Sequence, residues 1–146
     1  KFLPYGVTVD EFQHEVYENP ELTPKERRMK WLEIERKYLP SRYYEEIPEL
    51  DEGLFFYRQG HLFSVPFYYI DYTLAQVCAF QFWKKANENR EKAWKEYLHL
   101  CKLGGTKPFL ELVKEANLEN PFEDGTISNI VPELRKYIDS VDATKF

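Results

Sequence analysis

GHLFSVPFYYIDYTLAQ, residues 60–76, is an apolar run that also carries His61, Tyr68, Tyr69, Asp71 and Tyr72. Over residues 67–83 only Asp71, Thr73, Gln76 and Gln81 are plainly polar. Such a segment reads as a long helix enclosed on most sides. Pro66 is predicted to open it, because proline is tolerated in the first helical turn, and it should reach about residue 87. No segment of the chain alternates with period two for long enough to need a strand, so the fold class is all-α.

If Pro66 starts the helix, Tyr68 and Tyr72 lie about 40° apart around its axis and one turn apart along it. Their hydroxyls can then point into one space. Tyr69 falls about 60° to the other side of Tyr72, so either Tyr68 or Tyr69 could accompany it. A buried phenol left unpaired costs about 1–3 kcal/mol, so several of them need partners. Water or a substrate in a cleft would supply these; a well-bonded aromatic core is the plainer reading of the same residues. His61, just before the proline break, is the only histidine close to the cluster.

Outward from this stretch, six further helices are predicted, about seven in all. Thr8 and Glu11 have capping-box spacing, which starts a helix over 9–18 that Asn19-Pro20 ends. Thr23, Pro24 and Glu26 repeat the signal for a helix reaching Leu39. Residues 41–53, rich in Pro, Glu and Tyr, read as a loop, and 54–63 as a short helix. A helix over 90–103 should stop at Gly104-Gly105. Residues 108–117 and 128–141 supply the last two.

At 146 residues the chain is long enough for one domain with a real core. Twenty Lys and Arg against 25 Asp and Glu give a net charge of −5 with no basic block, so nothing points to nucleic acid or an anionic membrane. The longest apolar run, 62–83, is broken by Pro66, Asp71, Gln76 and Gln81, which argues against a membrane span and for a soluble protein. Cys78 and Cys101 lack metal-ligand spacing and read as reduced thiols of a cytoplasmic protein. The chain opens on Lys1-Phe2 without an initiator methionine, as a trimmed chain would. Aromatic residues make up 17% of it, enough to fill a helical core or to line a site that grips extended peptide.

Two other places could carry chemistry. Glu11, His14, Glu15 and Glu18 share one helical face in EFQHEVYE, residues 11–18. A lone Glu-x-x-His is half of a di-iron motif, and Glu18 stands where a zinc protease's second histidine would be, so a solvated acidic face is the expected reading. His99, in EYLHLCKL, has no acidic or cysteine neighbour at ligand spacing and is expected to be structural.

RQGHLFSVPFYYIDYTLAQ, with FLPYGVTVDEFQH upstream and FEDGTISNIVPELRKYI downstream, resembles the C-terminal part of the oligoendopeptidase F branch of the thimet-type zinc oligopeptidases. The resemblance covers the whole chain. It implies the C-terminal helical part of a larger, channel-containing metallopeptidase fold, and a zinc-dependent metalloendopeptidase acting on short oligopeptides. By resemblance, His61 is the substrate-binding histidine, Tyr72 the oxyanion donor, and Tyr68 or Tyr69 the other substrate-facing tyrosine. Arg58, Gln59 and Asp71 would support them. Relative to the thimet branch, the Gly-Gly-Tyr after the histidine is missing and the distance from His61 to Tyr72 is one residue shorter.

The family's zinc-binding His-Glu-x-x-His occurs nowhere in the sequence. The zinc ligands are therefore expected upstream, in another part of the same enzyme, and the isolated chain is expected to be inactive. The implied partners are an oligopeptide substrate and that upstream part. The rival expectation is a non-catalytic helical module that binds a peptide or protein.

Overall fold

The computed structural model describes residues 2–44, 47–142 and 144. Among them it contains helices and turns and no strand, so the all-α expectation holds. Eight α-helices follow one another: α1 (Phe2–Glu18), α2 (Pro24–Tyr38), α3 (Pro48–Asp51), α4 (His61–Ser64), α5 (Tyr69–Glu88), α6 (Arg90–Leu103), α7 (Phe109–Glu115) and α8 (Thr126–Ser140). A 3₁₀ turn over Leu54–Arg58 lies between α3 and α4. The chain divides into two compact units, Lys1–Thr73 and Leu74–Phe146.

In the first unit, α1 packs on α2 around Trp31, which is fully buried. Val9, Phe12, Ile34, Phe55, Phe56 and Leu62 complete the core, and Tyr5, Tyr44 and Tyr69 pack against it. Phe12 meets Trp31 edge-on at 5.2 Å, the arrangement that brings a positive ring edge to a negative ring face. Gly6 lets α1 approach the first turn of α5, since a Cβ there would lie 1.9 Å from Thr73 Oγ1.

The α2 start forms as its sequence predicts. Glu26 N–H donates to Thr23 Oγ1 at 3.3 Å, while Glu26 Oε2 accepts from Thr23 N–H at 2.8 Å. The same pattern at Thr8 and Glu11 does not form a cap. Helix α1 begins earlier, at Phe2, with Pro4 in its first turn, and Thr8 Oγ1 donates back to the Pro4 carbonyl at 2.9 Å. Glu11 is drawn instead to Lys37 Nζ, 2.9 Å from both carboxylate oxygens, and to the Tyr38 hydroxyl.

Three other boundaries differ from expectation. The 41–53 segment contains the single turn α3, and residues 45 and 46 of that predicted loop lie outside the described residues. The predicted 54–63 helix is split into the 3₁₀ turn and α4 at Gln59-Gly60. Pro66 does not open α5, which starts three residues later because Phe67 takes a left-handed conformation, φ 60°. Nor is α5 enclosed on most sides in this chain: one stripe, Thr73, Val77 and Gln81, is buried, and many of its aromatic and small residues stay accessible.

In the second unit, Asn89 caps α6 by accepting from Lys92 N–H at 3.0 Å, and Gly104 ends it at φ 53°. Gln81 clasps the Glu119 backbone in both directions: its Nε2 donates to the carbonyl at 2.9 Å and its Oε1 accepts the N–H at 2.7 Å. Lys85 donates to the Asn117 carbonyl at 2.8 Å. These bonds tie the segment after α7 to α5. An open apolar cleft of about 720 Å³ here is lined by Phe82, Trp83, Trp94 and Tyr97, with no histidine in its lining.

Candidate functional site

Helix α4 is a single turn that presents His61 at its first position. Val65 N–H donates to the His61 carbonyl at 3.1 Å, and Tyr68 N–H to the Val65 carbonyl at 3.2 Å, so the chain folds back tightly between them. The left-handed Phe67 at the apex is fixed from α1, where the buried Gln13 accepts its N–H at 2.7 Å. This turn brings Tyr68, Tyr69 and Tyr72 back over His61.

The rings then gather closely. His61 lies nearly parallel to Tyr68 at 6.3 Å and edge-on to Tyr69 at 5.2 Å and to Tyr72 at 6.1 Å. The Tyr72 hydroxyl donates to the Tyr68 hydroxyl at 3.3 Å. Tyr68 and Tyr72 are the exposed pair, 44% and 42% accessible. Tyr69 leans into the core, edge-on to Tyr5 at 5.8 Å, and burial pushes its phenol pKa up. The hydrogen bond with Tyr68 raises that of Tyr72, because it favours the protonated donor. Tyr72 is therefore an O–H donor at neutral pH.

Of the supporting residues, Gln59 reaches the histidine: its amide nitrogen is 2.6 Å from His61 Nδ1. On its other side, Gln59 Oε1 accepts the Tyr5 hydroxyl at 2.8 Å. Arg58 stands 5.6 Å from the Phe55 ring centre, on the wall of a cleft shared with Tyr5 and Gln59, and forms no hydrogen bond to His61. Asp71 is exposed, and its carboxylate makes no hydrogen bond among the described residues. Tyr5 and Gln13 are absent from the sequence-derived set. Each acts on a partner 54 residues away, so no local spacing announces them.

The other candidates are ordinary surface groups. Glu15 pairs with Lys30 at 3.4 Å and His14 with Asp10 at 3.6 Å, in line with a solvated acidic face. His99 Nε2 is 3.0 Å from a Glu115 carboxylate oxygen, a hydrogen-bond contact on the surface of the second unit. Cys78 and Cys101 are free thiols. Among the described residues no group of three or more His, Cys, Asp or Glu side chains could hold a metal ion, so the residues present do not fit a zinc centre. No helix among them is long and apolar enough to cross a membrane.

Comparison with known proteins gives the family of the chain. The model of peptidase family M3 matches residues 2–131. A protein provisionally named oligoendopeptidase F, of known crystal structure, is 58% identical with a TM-score of 0.92, over 99% of this chain and 26% of that one. PZ peptidase A, solved with an inhibitor, is 57% identical with a TM-score of 0.90, over 97% of this chain and 25% of that one. A provisionally named oligoendopeptidase F from Bacillus anthracis strain Ames is 49% identical with a TM-score of 0.76, over 99% of this chain and 22% of that one. No curated protein matches the sequence. The chain thus spans about a quarter of the length of these structures. With nine-tenths of its length matched and this identity to two oligoendopeptidases, the chain belongs to peptidase family M3.

Proposed function

We propose that the chain is the C-terminal helical part of a cytoplasmic zinc metalloendopeptidase that hydrolyses short oligopeptides, and that His61, Tyr68, Tyr69 and Tyr72 form its substrate-binding wall. The observation that carries this is the exposed Tyr68–Tyr72 hydroxyl pair beside the His61 ring, in a member of a peptidase family. Hydrolysis of a peptide bond puts negative charge on the carbonyl oxygen, and a pre-oriented phenol O–H can donate to it. Tyr72 is assigned that role, with Tyr68 its partner on the substrate side and Tyr69 mainly a buttress from the core.

On this reading the metal is held by residues outside this chain, since none described here can hold it. The chain alone is therefore inactive. The test is Tyr72→Phe in the intact enzyme that contains this chain. Turnover should fall about a hundredfold or more, with metal content unchanged. Unchanged turnover would remove Tyr72 from the chemistry. Tight peptide binding by the chain alone, together with full activity of Tyr72→Phe, would favour the non-catalytic binding module instead.

A further inference from the structure

One nitrogen of His61 is already spoken for. Nδ1 lies 2.6 Å from the Gln59 amide nitrogen, and no hydrogen bond among the described residues uses Nε2. Which nitrogen carries the proton decides whether His61 can donate to a substrate or only accept from it.

The deciding group is Tyr5. Its ring is wedged edge-on against Phe55 at 6.3 Å and Trp31 at 6.4 Å, with the Arg42 guanidinium 5.5 Å from its centre. Burial, followed by the neighbouring Tyr69, raises its pKa to about 12, so it keeps its proton at neutral pH. That proton has one acceptor among the described residues, Gln59 Oε1 at 2.8 Å. The bond orients the amide with oxygen toward Tyr5 and nitrogen toward His61. An amide NH₂ donates and cannot accept, so Nδ1 must offer its lone pair and the proton of the neutral imidazole sits on Nε2. The opposite amide orientation would require Nδ1–H, strip Nε2 of its proton, and leave the Tyr5 hydroxyl without an acceptor.

We infer that Tyr5 and Gln59 are positioning residues that hold His61 as the Nε2–H tautomer, so that it donates a hydrogen bond to a backbone carbonyl of the peptide substrate. The substrate half of this inference rests on the peptidase reading of the cluster; the tautomer half does not.

The test uses the intact enzyme labelled with ¹⁵N at histidine, the His61 signals being those lost in His61→Asn. A protonated-type shift at Nε2 and a bare-type shift at Nδ1 are expected. Gln59→Glu, which keeps size and shape, puts an acceptor at Nδ1 and should bring a proton there. Tyr5→Phe should let the two tautomers mix and lower kcat/KM about tenfold or more. A bare Nε2 in the unaltered enzyme, or an unmoved Nδ1 signal in Gln59→Glu, would overturn the inference. Expected shifts combined with full activity of His61→Asn would overturn the peptidase role of His61 and leave the tautomer lock standing.

Discussion

The amide oxygen of Gln13 accepts the main-chain N–H of Phe67 at 2.7 Å, joining the middle of α1 to the apex of the turn between His61 and the tyrosines. The backbone it holds is left-handed, which disfavours any residue with a Cβ by about 1–2 kcal/mol. Phe67→Gly is therefore expected to be more stable than Phe67→Ala by about 1 kcal/mol, since both lose the ring and only one keeps the strain. Equal urea midpoints for the two variants would show that the turn is not strained.

Gly6 sets how closely α1 meets the start of α5. An added methyl would lie 1.9 Å from Thr73 Oγ1 and 3.2 Å from its Cβ. Gly6→Ala should destabilise by about 1–3 kcal/mol through overpacking, and Thr73→Ala in the same molecule should recover part of the loss. Additive losses in that double-mutant cycle would mean the two residues do not meet.

Glu35 is buried and accepts the Tyr44 hydroxyl at 2.8 Å, with Arg42 at 3.3 Å. Removing that donor in Tyr44→Phe leaves a buried carboxylate one hydrogen bond short, a loss of about 1–3 kcal/mol. Its neighbour Tyr43 is 74% exposed, and Tyr43→Phe should fall within about 0.5 kcal/mol of the parent in the same unfolding measurement. Similar losses for both would contradict the burial of this carboxylate site.

Tyr5 gives a pH signature. Its pKa is raised from 10.0 to about 12, so folding favours the protonated phenol. The associated stability is complete below pH 10 and is lost as pH rises through about 12. In an alkaline titration followed by phenolate absorbance, Tyr5→Phe should delete a late step near pH 12 and flatten the fall in stability over that window. A variant that loses an early step instead would place Tyr5 in water.

Two similar sequence signals had opposite outcomes, and the contrast shows what local reading can see. Thr23 and Glu26 close on each other as a cap. At Thr8 and Glu11, a proline carbonyl one turn earlier takes the hydroxyl, while Lys37 and Tyr38, 26 and 27 residues away, take the carboxylate. Helix α6 spans the predicted 90–103 because its cap and its terminal glycine are both adjacent in sequence. The site divides in the same way. His61, Tyr68, Tyr69 and Tyr72 were legible because they fall within one short stretch, and the structure brings them together. Tyr5 and Gln13 were not, because a tertiary hydrogen bond leaves no periodic trace in the sequence.

The turn through Phe67 also restricts how the stretch can vary in length. Each residue added or removed between α4 and α5 would rotate the tyrosines by about 100° around the α5 axis, while Gln13 still held the old apex. An insertion or deletion there would carry Tyr68 and Tyr72 away from His61 even with every side chain retained. The segment can therefore exchange residues far more readily than it can change their number, and its length is as much a determinant of the wall as the tyrosines themselves.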